Sequence, residues 1–162
     1  MSTPIIHAAG EGEKRSFLGG GLHTWKLTTD DTDGAFFLFE DVMVQGKTTP
    51  LHHHPEADEM VYLLEGELLL NIDGTEQRLT AGGMSFTPRG TPHAFLVVSE
   101  QARMITMQSP GVGQSFYRDA SEPAEDDAPD ALDLSRIQAS AQENPQGIQL
   151  LGPPPFAKAP VG

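Results

Sequence analysis

The stretch Gly46-Lys47-Thr48-Thr49-Pro50-Leu51-His52-His53-His54-Pro55-Glu56-Ala57-Asp58-Glu59 holds three of the six histidines of the chain. Residues two apart on a strand face the same side, so His52 and His54 point one way and His53 the other. Two imidazoles side by side on one strand face suit a packed core badly. They make a good half of a metal site, because neutral imidazole is a ligand for zinc, copper, iron and nickel alike. Glu59 opens the next strand after a short turn and can add a carboxylate. A second cluster, Pro88-Arg89-Gly90-Thr91-Pro92-His93, delivers another histidine to the start of a strand through a tight turn. His7 and His23 lie near the N-terminus without ligand spacing and read as ordinary residues. Glu56 and Asp58 read as solvated turn residues.

Outward from these clusters, short apolar runs alternate with glycine and proline breaks. Residues 35–44 read as a strand with a bend in its middle, and 59–72 as two strands around Glu65-Gly66-Glu67. Asp73-Gly74 is a tight-turn signal leading into 75–79. Residues 84–87, 93–98 and 103–108 are further strands. Short strands at this spacing predict an all-β sandwich or barrel. The expected organisation is an N-terminal arm and first strands over 1–34 and a barrel core over 35–110. An acidic linker over 111–129 and a C-terminal helix with an extended tail over 130–162 follow, packed on the barrel or on a partner subunit. The linker reading rests on Glu122-Pro123-Ala124-Glu125-Asp126-Asp127, where clustered like charges resist packing. Asp133 is the expected N-cap of the helix, Leu134, Ile137 and Ala141 share a face, and Pro145 stops the helix by Asn144.

The formal net charge of the 162 residues is −13, which disfavours nucleic acid and anionic membrane surfaces as partners. With no cysteine, disulfide frameworks and thiolate metal sites are excluded. Met1-Ser2-Thr3-Pro4-Ile5-Ile6-His7 lacks a basic region followed by a long apolar run, so a cytoplasmic protein is expected. The apolar stretch over 60–64 is far too short to span a bilayer.

Gly46, His52, His54, Glu59 and Gly66 match the first cupin motif: Gly, five residues, His-x-His, four residues, Glu, six residues, Gly. Gly82, Pro88, Gly90 and His93 match the second: Gly, five residues, Pro-x-Gly, two residues, His. Val97 departs from the Asn that usually closes the second motif, a residue that is not a metal ligand. The chain is thus similar to the cupins. The resemblance implies a jelly roll, or double-stranded β-helix, holding one divalent transition metal (Fe, Ni, Mn, Co, Cu or Zn) through His52, His54, Glu59 and His93.

Within that superfamily the chain resembles the single-barrel group related to quercetin dioxygenases. The segments concerned are Thr32-Asp33-Gly34-Ala35-Phe36, Pro50-Leu51-His52, Val61-Tyr62-Leu63-Leu64-Glu65-Gly66-Glu67 and Gly147-Ile148-Gln149-Leu150-Leu151-Gly152-Pro153-Pro154. This implies a dioxygenase that takes a flavonol-like or other enolic aromatic substrate and dioxygen, with Glu59 as general base. The alternatives are a metal-containing small-molecule binder without turnover, or a metal-assisted isomerase or hydrolase. The family also implies a homodimer. By strand alternation, Val61 and Leu63 share the face of Glu59, and Phe95 and Val97 that of His93. Phe37, Phe39 and Met107 are expected to join them around an apolar pocket.

Overall fold

The computed structural model describes residues 2–17, 20–124 and 134–157. Its strands are β1 (Glu13–Phe17), β2 (Gly21–Leu27), β3 (Phe37–Val44), β4 (Leu51–His53), β5 (Asp58–Glu65), β6 (Glu67–Ile72), β7 (Thr75–Thr80), β8 (Met84–Thr87), β9 (His93–Val97) and β10 (Gln101–Ser109). After a short 3₁₀ turn at Gly111–Gly113 come α1 (Gln114–Asp119), β11 (Ser121–Pro123), α2 (Leu134–Glu143) and β12 (Gln149–Gly152). One antiparallel sheet has seven strands in the order β11-β1-β2-β3-β10-β5-β8, and the other has five in the order β12-β4-β9-β6-β7. Each sheet turns its apolar face toward the other, the packing of a jelly roll.

β3 shows how the sequence produces this. Phe37, Phe39, Asp41 and Met43 alternate inward, and Leu38, Glu40 and Val42 lie on the other face. The strand pairs with β10 in unbroken register from Phe37 to Val44, so no bulge marks the bend expected within 35–44 on that side. The irregularity lies instead in β2, between Trp25 and Leu27. β6 and β7 are joined at Asp73 and Gly74, with φ of 51° and 79°. Positive φ at both positions defines the hairpin turn whose twist matches the flanking strands. At Gly66, φ is 87° and a Cβ would lie 2.3 Å from the Gln101 carbonyl oxygen, so the β5–β6 corner requires glycine.

One end of the barrel is closed by Met43, Val61, Leu63, Leu68, Val97, Ala102 and Met104. On β10 the inward residues are Ala102, Met104, Thr106 and Gln108. Met107 therefore lies on the outer face, contrary to the expected pocket role. Met104, Ile105 and Met107 put apolar side chains on both parities of this strand, so its sequence does not select a face.

Over 111–124 the expected linker is also corrected, and residues 125–129 lie outside the described residues. Residues 111–124 form the 3₁₀ turn, α1 and β11, which pairs with β1. The acidic run begins only at Glu122, and before it Phe116, Ala120 and Ser121 are buried. Phe116 and Ala120 pack with Phe17, Ile137, Ala141 and Ile148, which joins α1, α2 and β1 into a second apolar cluster. α2 ends at Glu143, just before Asn144 as Pro145 requires. The expected N-cap, Asp133, lies outside the described residues. β12 then pairs with β4 and completes the five-stranded sheet. No helix among the described residues is long and apolar enough to cross a membrane.

Candidate metal centre

His52 lies inward on β4 and stands directly across from His93, the first residue of β9. His54 follows the end of β4. All three rings are buried, and their centroids lie 4.3 to 5.2 Å apart. One ligand atom from each of the three falls within 4.8 Å of the others.

Each imidazole is held by its other nitrogen. His52 Nδ1 donates to the Pro50 carbonyl at 2.8 Å, His54 Nδ1 to that of Gly147 at 2.8 Å, and His93 Nδ1 to that of Thr91 at 2.9 Å. A carbonyl can only accept, so the proton sits on Nδ1 and the Nε2 lone pairs are left for the centre. Two of these carbonyls come from the turns that precede β4 and β9. The third is supplied by the segment between α2 and β12, from nearly a hundred residues away in sequence.

Glu59 enters from the opposite sheet at the start of β5. Its Oε2 is 3.1 Å from His54 Nε2 and its Oε1 is 3.3 Å from His93 Nε2. Gln108, fully buried on β10, donates through Nε2 to Glu59 Oε2 at 2.8 Å and to the Tyr117 hydroxyl at 3.0 Å. The same nitrogen is 3.2 Å from His54 Nε2. Burial, reinforced by the neighbouring His93 and His54, holds His52 well below the usual histidine range, so it is neutral. Burial alone would raise the Glu59 pKa, but His54 and His93 outweigh it and hold the carboxyl well below its usual range. Burial likewise depresses His93, and its contact with Glu59 outweighs that and raises it. Three imidazole Nε2 atoms and a carboxylate thus converge, and buried His93 Nε2, 3.3 Å from Glu59 Oε1, completes no well-aligned hydrogen bond. This donor set fits a divalent transition metal, with Gln108 and the three backbone carbonyls orienting the ligands.

A cavity adjoins His52, Glu59 and His93. Of the residues expected to line it, Phe39, Val61 and Phe95 do so. Phe37 is instead fully buried against Trp25 and Tyr117. Leu63 and Val97 belong to the closed end of the barrel. β5 and β9 lead away from the ligands, so the second residue along each strand reaches the cavity and the fourth reaches solid core.

The cavity also takes in His23, Asp41, Lys47 and Tyr117, which the sequence reading did not assign to it. His23 is stacked between Phe17 and Phe39, at 4.8 and 4.1 Å between ring centroids, and its Nε2 is 3.4 Å from Asp41 Oδ2. Lys47 lies over the Phe17 ring at 4.9 Å, and burial lowers its pKa to about 8 against the opposing pull of Asp41. One local signal pointed to His23: it shares the parity of Trp25, an evident core residue, on β2.

Fold and site together define a jelly-roll protein with a buried cluster of three histidines and a carboxylate inside the barrel. The chain belongs to the cupin family, whose domain profile (Cupin domain) matches residues 38–107. It is 33% identical over 132 residues to polyketide synthase CurC of Streptomyces cyaneus, covering 78% of this chain and 84% of that protein. It is 29% identical over 140 residues to quercetin 2,3-dioxygenase of Bacillus subtilis, covering 84% of this chain and 41% of that protein, so it spans less than half of that relative. Among solved structures, KdgF from Halomonas sp. superimposes with a TM-score of 0.61 at 18% identity, over 67% of this chain and 94% of that one. An RmlC-like cupin from Shewanella frigidimarina gives 0.57 at 22% identity, over 68% and 96%. At these identities the structural likeness speaks to the fold.

Proposed function

We propose that this cupin is a metal-dependent dioxygenase of small enolic aromatic molecules, flavonol-like in kind, with the metal held by His52, His54, His93 and Glu59. The observation that carries the reading is the convergence of four electron-pair donors beside an aromatic-walled cavity. When bound, the metal supplies Lewis acidity, which lowers the pKa of an enol at the centre. Glu59, held ionised, takes the enol proton as general base, and Gln108 keeps its carboxylate in place. Phe39, Val61 and Phe95 offer a flat substrate apolar contact and keep bulk water from the reacting carbon atoms. The resulting enolate is the electron-rich form with which dioxygen reacts. The likeness to quercetin 2,3-dioxygenase supports the substrate type and the use of oxygen.

Elemental mass spectrometry of the purified protein, followed by oxygen-electrode assays on flavonols and smaller enols, tests the reading. About one equivalent of iron, manganese, nickel, cobalt or copper with substrate-dependent oxygen uptake is expected, and Glu59→Gln should lower turnover on the order of 100-fold while retaining metal. Metal-free protein, or full turnover in Glu59→Gln, would overturn it.

A second reading is favoured by the match along most of CurC: rearrangement or ring closure of an enolisable substrate at the same centre without oxygen. Polyketides are rich in enolisable carbonyls, so the same base and pocket would serve. Substrate consumption under strict anaerobiosis, with zinc as the resident metal, would select this reading over the dioxygenase.

A further inference from the structure

Tyr117 is a polar group of the cavity that neither the metal centre nor the base chemistry uses. It sits on α1, beyond the residues that the cupin profile matches. Its ring packs edge-on against Phe37 at 5.6 Å, Phe39 at 5.3 Å and Phe116 at 5.0 Å between centroids, and this holds the phenol in the cavity wall. The phenol oxygen accepts from Gln108 Nε2, the same nitrogen that donates to Glu59 Oε2. An amide nitrogen carries two hydrogens, and the two shorter contacts, to Glu59 and Tyr117, take both, which leaves His54 Nε2 at 3.2 Å to the centre. The proton of Tyr117 is left over, and among the described residues nothing accepts it. Burial, together with the charges of Glu59 and Asp41, keeps that proton in place, so the group is a permanent donor.

A single amide therefore fixes a carboxylate that accepts beside a phenol that donates. The complementary ligand has a hydroxyl that donates and, on the adjacent carbon, a carbonyl that accepts. We infer that Tyr117 is the hydrogen-bond donor to the carbonyl oxygen of an α-hydroxy-enone substrate whose hydroxyl is presented to Glu59 at the three-histidine centre. Loss of the hydroxyl proton places a negative charge directly beside that carbonyl oxygen, so electrostatic attraction for a hydrogen-bond donor strengthens as the enolate forms. The inference rests on the enolic reading of the site and adds to it the substrate's second oxygen, recognised from outside the shared cupin segment.

The test is titration of cobalt(II)-loaded protein with maltol, a small hydroxypyranone, followed by absorbance. Azide, which has no second oxygen, serves as the comparison ligand. Tyr117→Phe keeps the ring contacts and removes only the hydroxyl. It should bind maltol about tenfold or more weakly than the wild type, with cobalt content and azide affinity unchanged. Equal maltol affinity in the two proteins would overturn the role of Tyr117 and leave the enolic reading standing. Loss of cobalt, or a parallel loss of azide binding, would also overturn it, because the phenol would then be supporting the centre itself. A wild-type protein that holds cobalt and binds azide but not maltol would overturn the enolic reading and this inference with it.

Discussion

Glu59 and Lys47 are both charged groups in the wall of one cavity, and their surroundings treat them oppositely. Glu59 faces two imidazoles and an amide donor, which offset the cost of its burial and keep it ionised. Lys47 faces the Phe17 ring, and the charge of Asp41 only partly compensates its burial. The folded-state pKa of Lys47, about 8, lies below its ordinary 10.5. Between those values the unfolded chain binds a proton that the folded chain does not, so stability should rise as pH climbs through that window. The gain is on the order of 3 kcal/mol. Urea unfolding at a series of pH values should show this rise in the wild type and a flatter profile in Lys47→Met. A rise of equal size in the variant would mean that another group produces it.

At the scale of the element, the C-terminal segments do more than end the chain. α1 carries Tyr117 into the cavity, the segment after α2 brings the Gly147 carbonyl to His54, and β12 covers β4, the strand that carries His52. What anchors them is the apolar cluster of Phe17, Phe116, Ala120, Ile137, Ala141 and Ile148. Ile137 is buried at its centre, and Ile137→Ala removes methyl groups that the surroundings cannot refill. A loss of about 2–5 kcal/mol in urea denaturation is expected. The metal affinity of the variant should fall too, since looser docking of α2 loosens the carbonyl that orients His54. Isothermal titration with cobalt measures the second effect, and an unchanged affinity would show that Gly147 is held independently of α2.

For the whole molecule, the proposed ligands tie the two sheets together. His52 and His93 belong to the five-stranded sheet and Glu59 to the seven-stranded one. A metal bound there binds the folded chain and not the unfolded one. Stripping it with a chelator should therefore lower the melting temperature, and adding it back should restore the loss. At a free metal concentration a thousandfold above the dissociation constant the stabilisation is about 4 kcal/mol. For a chain of this size that corresponds to roughly 10 °C. An unchanged melting temperature on chelation and reloading would mean that the folded barrel does not hold metal at this cluster.

Local sequence suffices for the strands from β3 to β10, for the turn at Asp73-Gly74, and for the four side chains that meet in the centre. Each of these is written locally: alternation along a strand, positive φ at a turn, His-x-His on one face, and a tight turn that hands His93 to its strand. The packed fold settles which face of β10 is inward, because Met104 and Met107 offer apolar side chains on opposite parities. It alone showed that residues 111–124 are structured, because the apolar partner of Phe116 is Phe17, about a hundred residues earlier. It alone brought His23, Asp41, Lys47 and Tyr117 into one cavity. They come from β2, β3, the β3–β4 loop and α1, and no local pattern records a convergence that exists only once both sheets and the C-terminal helices have packed.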